Sequence, residues 1–267
     1  MKKLYTLLAL TISFSMNAQV STNSTSPTGT YASAMGNGTT ASGNESTAMG
    51  YDTTASGEAS TAKGYSTTAS AQSSTAIGRS TTASGTNSTA MGNGSTASDY
   101  ASLVIGQYNS SGSSATSANS FSTSAPAFVI GNGTNNSNKS DAFKVMFNGD
   151  ATVSNDLTVS GDVNISSDAR LKSNIVSLGS TLSKLLQIDG KSYEMKGKQK
   201  IGVLAQEIQE VFPELVSEDD NEMLAVNYQG LVPVLINALK EQQNEINRLK
   251  DQEKRIERLE NLVAQLD

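Results

Sequence analysis

The chain of 267 residues contains no histidine, no cysteine and no tryptophan. Without histidine there is no Ser-His-Asp triad, no Cys-His pair and no imidazole ligand for a metal. Without cysteine there is no disulfide, no thiolate zinc site and no lipidated N-terminal Cys. Nucleophilic catalysis is thereby restricted to Ser or Thr working with a Lys or carboxylate base. A basic patch is also missing: the net charge is −6, so nucleic acid is not an expected partner. Neither a metal nor a cofactor is expected. With 36% hydrophobic and 5% aromatic residues, the composition sits near the disordered side unless a repeat supplies the order.

Long apolar runs are nearly absent too. Lys2-Lys3 precede one such run, Leu4 to Phe14, followed by small and polar residues to Ala18. It is well short of the ~20 apolar residues a spanning helix needs. The pattern reads as an export signal over 1–18, cut before Gln19, with Met16 an unusual residue three before the cut. After its removal no membrane-spanning segment is expected, and the mature chain is placed outside the cell or on its surface.

What the chain does have is a repeat. After a linker over 19–30, Gly36, Gly50, Gly64, Gly78, Gly92 and Gly106 fall at a strict interval of 14. The residue before each is Met35, Met49, Lys63, Ile77, Met91 or Ile105, and Ala41, Ala55, Ala69, Ala83 and Ala97 recur in phase. A fixed period marks stacked units, each too small to bury a face alone. Two short segments with Gly turns suit one coil of a β-roll, with coils ~4.8 Å apart. On this reading Met and Ile fill the interior, and Lys63 takes a rim or inter-chain place. A disordered Ser/Thr stalk requires neither the unbroken glycine spacing nor the apolar residue in phase. Charges over 21–140 are few, and no acid pair or metal-ligand cluster recurs with the repeat, so this region reads as a surface.

The Ser-Thr-Ala-Met-Gly units over 31–110 resemble the head repeats of trimeric autotransporter adhesins of the YadA kind. The resemblance implies a left-handed parallel β-roll, a homotrimer and a bacterial surface location, with a host, matrix or glycan ligand. The membrane barrel of those adhesins has no counterpart here.

A Ser-rich linker and a β-rich neck are expected over 111–165. Strands are predicted at Ala127–Gly131, Phe143–Phe147, Leu157–Val159 and Val163–Ile165, with a tight turn at Asn148-Gly149. From Ser166 the composition turns charged and helical. Helical spacing runs from Ile175 to Ile188, a strand is read at Ile201–Leu204, and a short helix at Ala205–Phe212 stops before Pro213. A long helix begins between Tyr228 and Pro233. Its apolar positions Leu239, Ile246, Leu249, Ile256, Leu259, Val263 and Leu266 give a coiled-coil seam with a skip near Ile256. This assigns 166–230 to one domain and 231–267 to a C-terminal coiled-coil helix.

At the junction, Ser167 and Lys172 stand five residues apart. In a chain so rich in Ser that spacing carries little by itself. The blocks around it carry more: Ser167-Asp168-x-Arg170-Leu171-Lys172-x-Asn174-Ile175, Ile201-Gly202-x-x-Ala205-Gln206-Glu207, Pro213-Glu214-Leu215-Val216 and Val226-x-Tyr228-x-x-Leu231, then the Lys240-Glu241 helix. In order, they resemble the peptidase S74 domain, the C-terminal intramolecular chaperone of phage tailspikes and related trimers. The resemblance implies a trimeric chaperone that helps a β-rich stalk to fold and then cuts itself off. Its nucleophile matches Ser167, its base matches Lys172, and the scissile bond becomes Ser166-Ser167. Arg170 could lower the affinity of Lys172 for its proton, with Asp168 opposing, and Asn174 could support the oxyanion. The whole is expected to be an exported trimeric fibre: mainly β in its N-terminal part, then α+β with a long coiled-coil helix. Its self-cleaving serine endopeptidase would turn over once, in cis. Two alternatives remain: a structural trimer whose C-terminal domain stays attached, and a receptor-binding protein like a phage tail fibre.

Overall fold

The computed structural model describes residues 22–219 and 222–265, so the apolar leader assigned to 1–18 lies outside the described residues. These residues form two compact units that divide between Val163 and Asn164.

The first unit is a β-solenoid. Five-residue strands at Ser33–Asn37, Thr47–Tyr51, Thr61–Tyr65, Thr75–Arg79, Thr89–Asn93 and Leu103–Gln107 alternate with two-residue strands such as Thr54–Ala55 and Thr68–Ala69. Each pairs in parallel with its counterpart one coil on. Gly36 thus faces Gly50, which faces Gly64, then Gly78 and Gly92. Two sheets result, the long-strand sheet of ten strands and the short-strand sheet of six.

The repeat has a finer period than 14. Ala41, Ala48, Ala55, Ala62, Ala69, Ala76, Ala83, Ala90 and Ala97 recur every seven residues, and all are fully buried. A second buried row, Thr39, Ser46, Thr53, Ser60 and Thr67, keeps the same interval two residues earlier. The backbone follows suit: Glu45, Asp52, Ala59, Ser66, Ser73, Ser80 and Asn87 all take left-handed φ between 51° and 60°. Each coil is therefore two heptads, each ending in a corner.

This arrangement corrects the expected interior. Strand side chains alternate between faces, and with Ser46 and Ala48 pointing in, Thr47, Met49 and Tyr51 must point out. Met35 and Met91 are 37% and 39% exposed. Within the repeat the two sheets lie close enough that the buried side chains over 39–98 are all Ala, Ser or Thr, and larger Val104 and Val129 enter the core only at its C-terminal end. The ladder Met35–Met49–Lys63–Ile77–Met91–Ile105 runs along the outside.

Glycine in the ladder is a steric requirement. Gly64 has φ of +130°, and a Cβ there would stand 1.9 Å from the Gly78 carbonyl oxygen. No side chain can occupy that point without separating two coils.

The solenoid ends by a change of step. Gly106 pairs not with a residue fourteen on but with Gly131, in the strand Pro126–Asn132. The inserted chain is bound down by side chains that imitate a further coil. Asn109 donates to Thr96 O and accepts from Thr96 N–H, both at 2.8 Å, which caps the open edge of the short-strand sheet. The buried Asp99 accepts from the N–H groups of Thr116 and Ser117, and Asp141 from those of Ser110 and Ser111. Strands Asp141–Met146 and Ala151–Val153 then complete the long sheet in antiparallel fashion, joined through Asn148-Gly149.

The strands predicted at Leu157–Val159 and Val163–Ile165 are not formed. These residues carry no strand and join no sheet, with Leu157 71% and Val163 62% exposed. Alternation makes a strand only where another strand is present to pair with it.

In the second unit, the hairpin Lys191–Met195 and Lys198–Gly202 turns through Lys196-Gly197, both at positive φ, as a two-residue turn of this type requires. The strand expected at Ile201–Leu204 therefore begins and ends earlier. The helix expected from Ile175 shrinks to α1 (Leu182–Leu185). Left-handed Asn174 and Gly179 break the pattern before it. Helix α2 (Ala205–Val211) leads to a 3₁₀ turn at Pro213–Leu215, and α3 spans Leu231–Val263 with Pro233 in its first turn, where a missing N–H is tolerated. Ile208, Phe212 and Val234 form the core, with Leu185, Ile188, Val203 and Leu231 around them.

Replacing Gly64 by Ala is expected to lower the stability of the solenoid by about 2–4 kcal/mol. Gly161→Ala, which meets nothing within 4 Å, should change it by less than about 0.5 kcal/mol. Thermal denaturation followed by circular dichroism separates the two.

Candidate functional site

Asp168 starts a single 3₁₀ turn, Ala169–Leu171. Its backbone is extended (φ −61°, ψ 133°), and its side chain accepts from Arg170 N–H at 2.8 Å. This is the ordinary preference of Asp for the first position of a turn, where its oxygen satisfies an otherwise free donor. The turn closes with Leu171 N–H on Asp168 O and Lys172 N–H on Ala169 O, each 3.1 Å.

One such turn lets the long lysine side chain reach back to the residue five positions earlier. Lys172 Nζ donates to Ser167 Oγ at 2.7 Å. The spacing in the sequence thus corresponds to one turn, and the two side chains meet at hydrogen-bond distance, both exposed in the single chain. Ser166, whose carbonyl belongs to the expected scissile bond, stands two residues before the capping Asp168.

The two supporting residues are placed differently. Arg170 turns to Asp168, with its Nη2 2.6 Å from Oδ2 and its Nε within 3.1 Å of both carboxylate oxygens. The pair holds the Asp168 carboxyl below its ordinary range, chiefly through the Arg170 side-chain hydrogen bond. Arg170 is thus committed to Asp168. Asn174 takes a left-handed φ of 52° two residues beyond the lysine.

Comparison with known families follows the same division of the chain. The YadA head domain repeat matches residues 28–53, 55–81 and 83–109, each match spanning about two coils. The family described as the chaperone of endosialidase, peptidase S74, matches residues 167–217, beginning at Ser167 itself. The chain carries YadA head repeats followed by a peptidase S74 chaperone domain. No curated protein matches it. Among the described residues no group of three acidic, His or Cys side chains is placed to hold a metal ion, and no helix is long and apolar enough to cross a membrane.

The double role of Asp168 as turn cap and arginine partner was missed in the sequence. Its signal was available, since Asp two residues before Arg at the start of a turn is a capping pattern. Because the Asp168 carboxyl is depressed when folded, its contribution to the turn is complete above the ordinary Asp range. It is lost as the pH falls through the depressed value. In a carboxyl NMR titration Asp168 should titrate below free Asp, and Arg170→Gln should move it upward.

Proposed function

We propose that this protein is an exported, trimeric, adhesin-like fibre. Its S74 domain holds three chains together while the solenoid and neck fold, then severs itself at Ser166-Ser167. The observation that carries the reading is the 2.7 Å hydrogen bond between Lys172 Nζ and Ser167 Oγ at the first residues of the S74 match. The YadA head repeats support a surface-exposed location. A glycan, matrix or host surface is the ligand class that the adhesin likeness favours.

In the proposed reaction, neutral Lys172 takes the proton of the Ser167 hydroxyl as Oγ adds to the carbonyl carbon of Ser166. The tetrahedral adduct collapses with cleavage of the C–N bond, and the lysine proton passes to the leaving nitrogen of Ser167. Water then hydrolyses the ester, leaving a carboxylate on Ser166 and a free amine on Ser167. Free lysine has a pKa of about 10.4, so the base must be desolvated to act near neutral pH. Burial among three chains is the proposed source of that change, which would make cleavage wait for assembly.

Two exposed apolar stripes support the trimer. On the head it is the Met/Ile ladder. On α3 it is Leu235, Leu239, Ile246, Leu249, Ile256, Leu259 and Val263, all between 39% and 64% exposed. Only Val234 and Ala238 of that helix are buried among the described residues. A helix of 33 residues is about 50 Å long, and an apolar stripe of that length in water calls for partner helices.

Expression of the full chain should give two fragments split before Ser167. Ser167→Ala and Lys172→Ala should each leave the chain uncut at Ser166-Ser167 by mass spectrometry. An intact wild-type trimer would favour the structural, non-cleaving alternative, and cutting in both variants would remove the dyad. Ile256→Asp is expected to give monomers by sedimentation and to slow cleavage at least about tenfold.

A further inference from the structure

The segment that carries the dyad has no regular element from Ser173 to Ser180. Its course is therefore set by its two ends. One end is the 3₁₀ turn at Asp168. The other is received by a single carboxylate on α3. Glu241 accepts from Ser180 Oγ at 2.6 Å, from Thr181 N–H at 2.5 Å and from Leu182 N–H at 3.3 Å. Thr181, only 2% exposed, also donates its hydroxyl to Val234 O at 3.0 Å. These contacts join residues some sixty positions apart. They also satisfy the first donors of α1, whose own N-cap Thr181 makes no side-chain cap bond.

Val234, Ala238 and Glu241 follow at i, i+4 and i+7, which is one stripe of a helix. The exposed seam Leu235, Leu239, Gln242 and Ile246 is the stripe beside it. The carboxylate that grips the arm is therefore carried on the same rigid helix as the seam, one stripe away. Hydrogen bonds from Ser180 first, and from the backbone next, hold Glu241 below the ordinary Glu range, so it accepts as a carboxylate at neutral pH.

We propose that Glu241 is the positioning residue that passes the register of the assembled α3 helices to the arm bearing Ser167 and Lys172. The inference rests on the self-cleaving trimer reading. In a symmetric trimer the three Glu241 carboxylates stand at one level along the axis. They fix the three arm roots at that level, so the place at which each preformed dyad meets the neighbouring chains, and hence its desolvation, depends on helix register.

The test uses the full-length chain, with first-order cleavage measured beside trimer fraction by sedimentation. Glu241→Ala should slow cleavage about tenfold, as expected for losing charge-assisted hydrogen bonds at a positioning group, with the trimer retained. Glu241→Gln keeps an acceptor for the two N–H groups and should restore most of the rate. Ser180→Ala should slow the wild type yet add nothing in the Glu241→Ala background. Wild-type cleavage that is unchanged in Glu241→Ala trimers overturns the inference alone. So does a loss that merely tracks trimer dissociation and is not rescued by Gln. A wild-type trimer that never cuts overturns the self-cleavage reading and the inference with it.

Discussion

Each coil of the solenoid has its backbone hydrogen bonds completed by the coils on either side, and by little else. Over 39–98 the buried side chains are only Ala, Ser and Thr, with Val104 and Val129 added where the repeat ends, so a coil buries far less apolar surface than a conventional sheet packed on a second layer. Order therefore comes from the parallel ladder, repeated in strict register, and from glycines that let neighbouring backbones approach. Identical coils carry a corresponding weakness. A slip of one whole coil replaces every contact by one of the same kind, so the repeat itself specifies register weakly.

Where the chain departs from its repeat, it marks position. Tyr51 and Tyr65 stack at 5.0 Å with rings 6° from parallel, and the Arg79 guanidinium lies 5.8 Å from the Tyr65 ring centre on the next coil. Lys63 interrupts the outer apolar ladder once. Asn109, Asp99 and Asp141 close the C-terminal end with side-chain bonds that only this part of the sequence can make. These contacts distinguish one coil from another within a chain. None of them fixes one chain against another, and in the proposed trimer that task falls to the C-terminal domain. Helical contacts are local and form early, whereas the ladder must wait for non-local closure.

The repeat was legible in the sequence because glycine position is a backbone requirement that few substitutions can hide. The inside of the repeat was misread: the 14-residue period conceals two heptads, and the apolar Met and Ile drew attention away from the alternation that turns them outward. Counting from Gly64 in steps of two would have placed Ala62 inside and Lys63 outside. The pairing of Ser167 with Lys172 was legible as a spacing, and one 3₁₀ turn gives that spacing its physical meaning. The grip of Glu241 was not, because nothing in a sequence links a helix residue to a loop sixty positions earlier. The strands expected near Leu157 and Val163 had the right pattern, but pattern alone supplies no partner strand.

A chain without histidine has few ways to deprotonate a hydroxyl, and lysine is the one that can be silenced by water. An ammonium in solvent is held in its charged form by hydration, and removal of that hydration is what converts it to a base. Ser167 and Lys172 meet within one chain, so proximity does not require assembly. In the proposed trimer desolvation would, because both groups are exposed in the single chain. With the two requirements separated in this way, the proposed cleavage would take its timing from the burial step. In the proposed reaction, nucleophile and base are set early by local turn chemistry, and cleavage would be withheld until other chains exclude water from them.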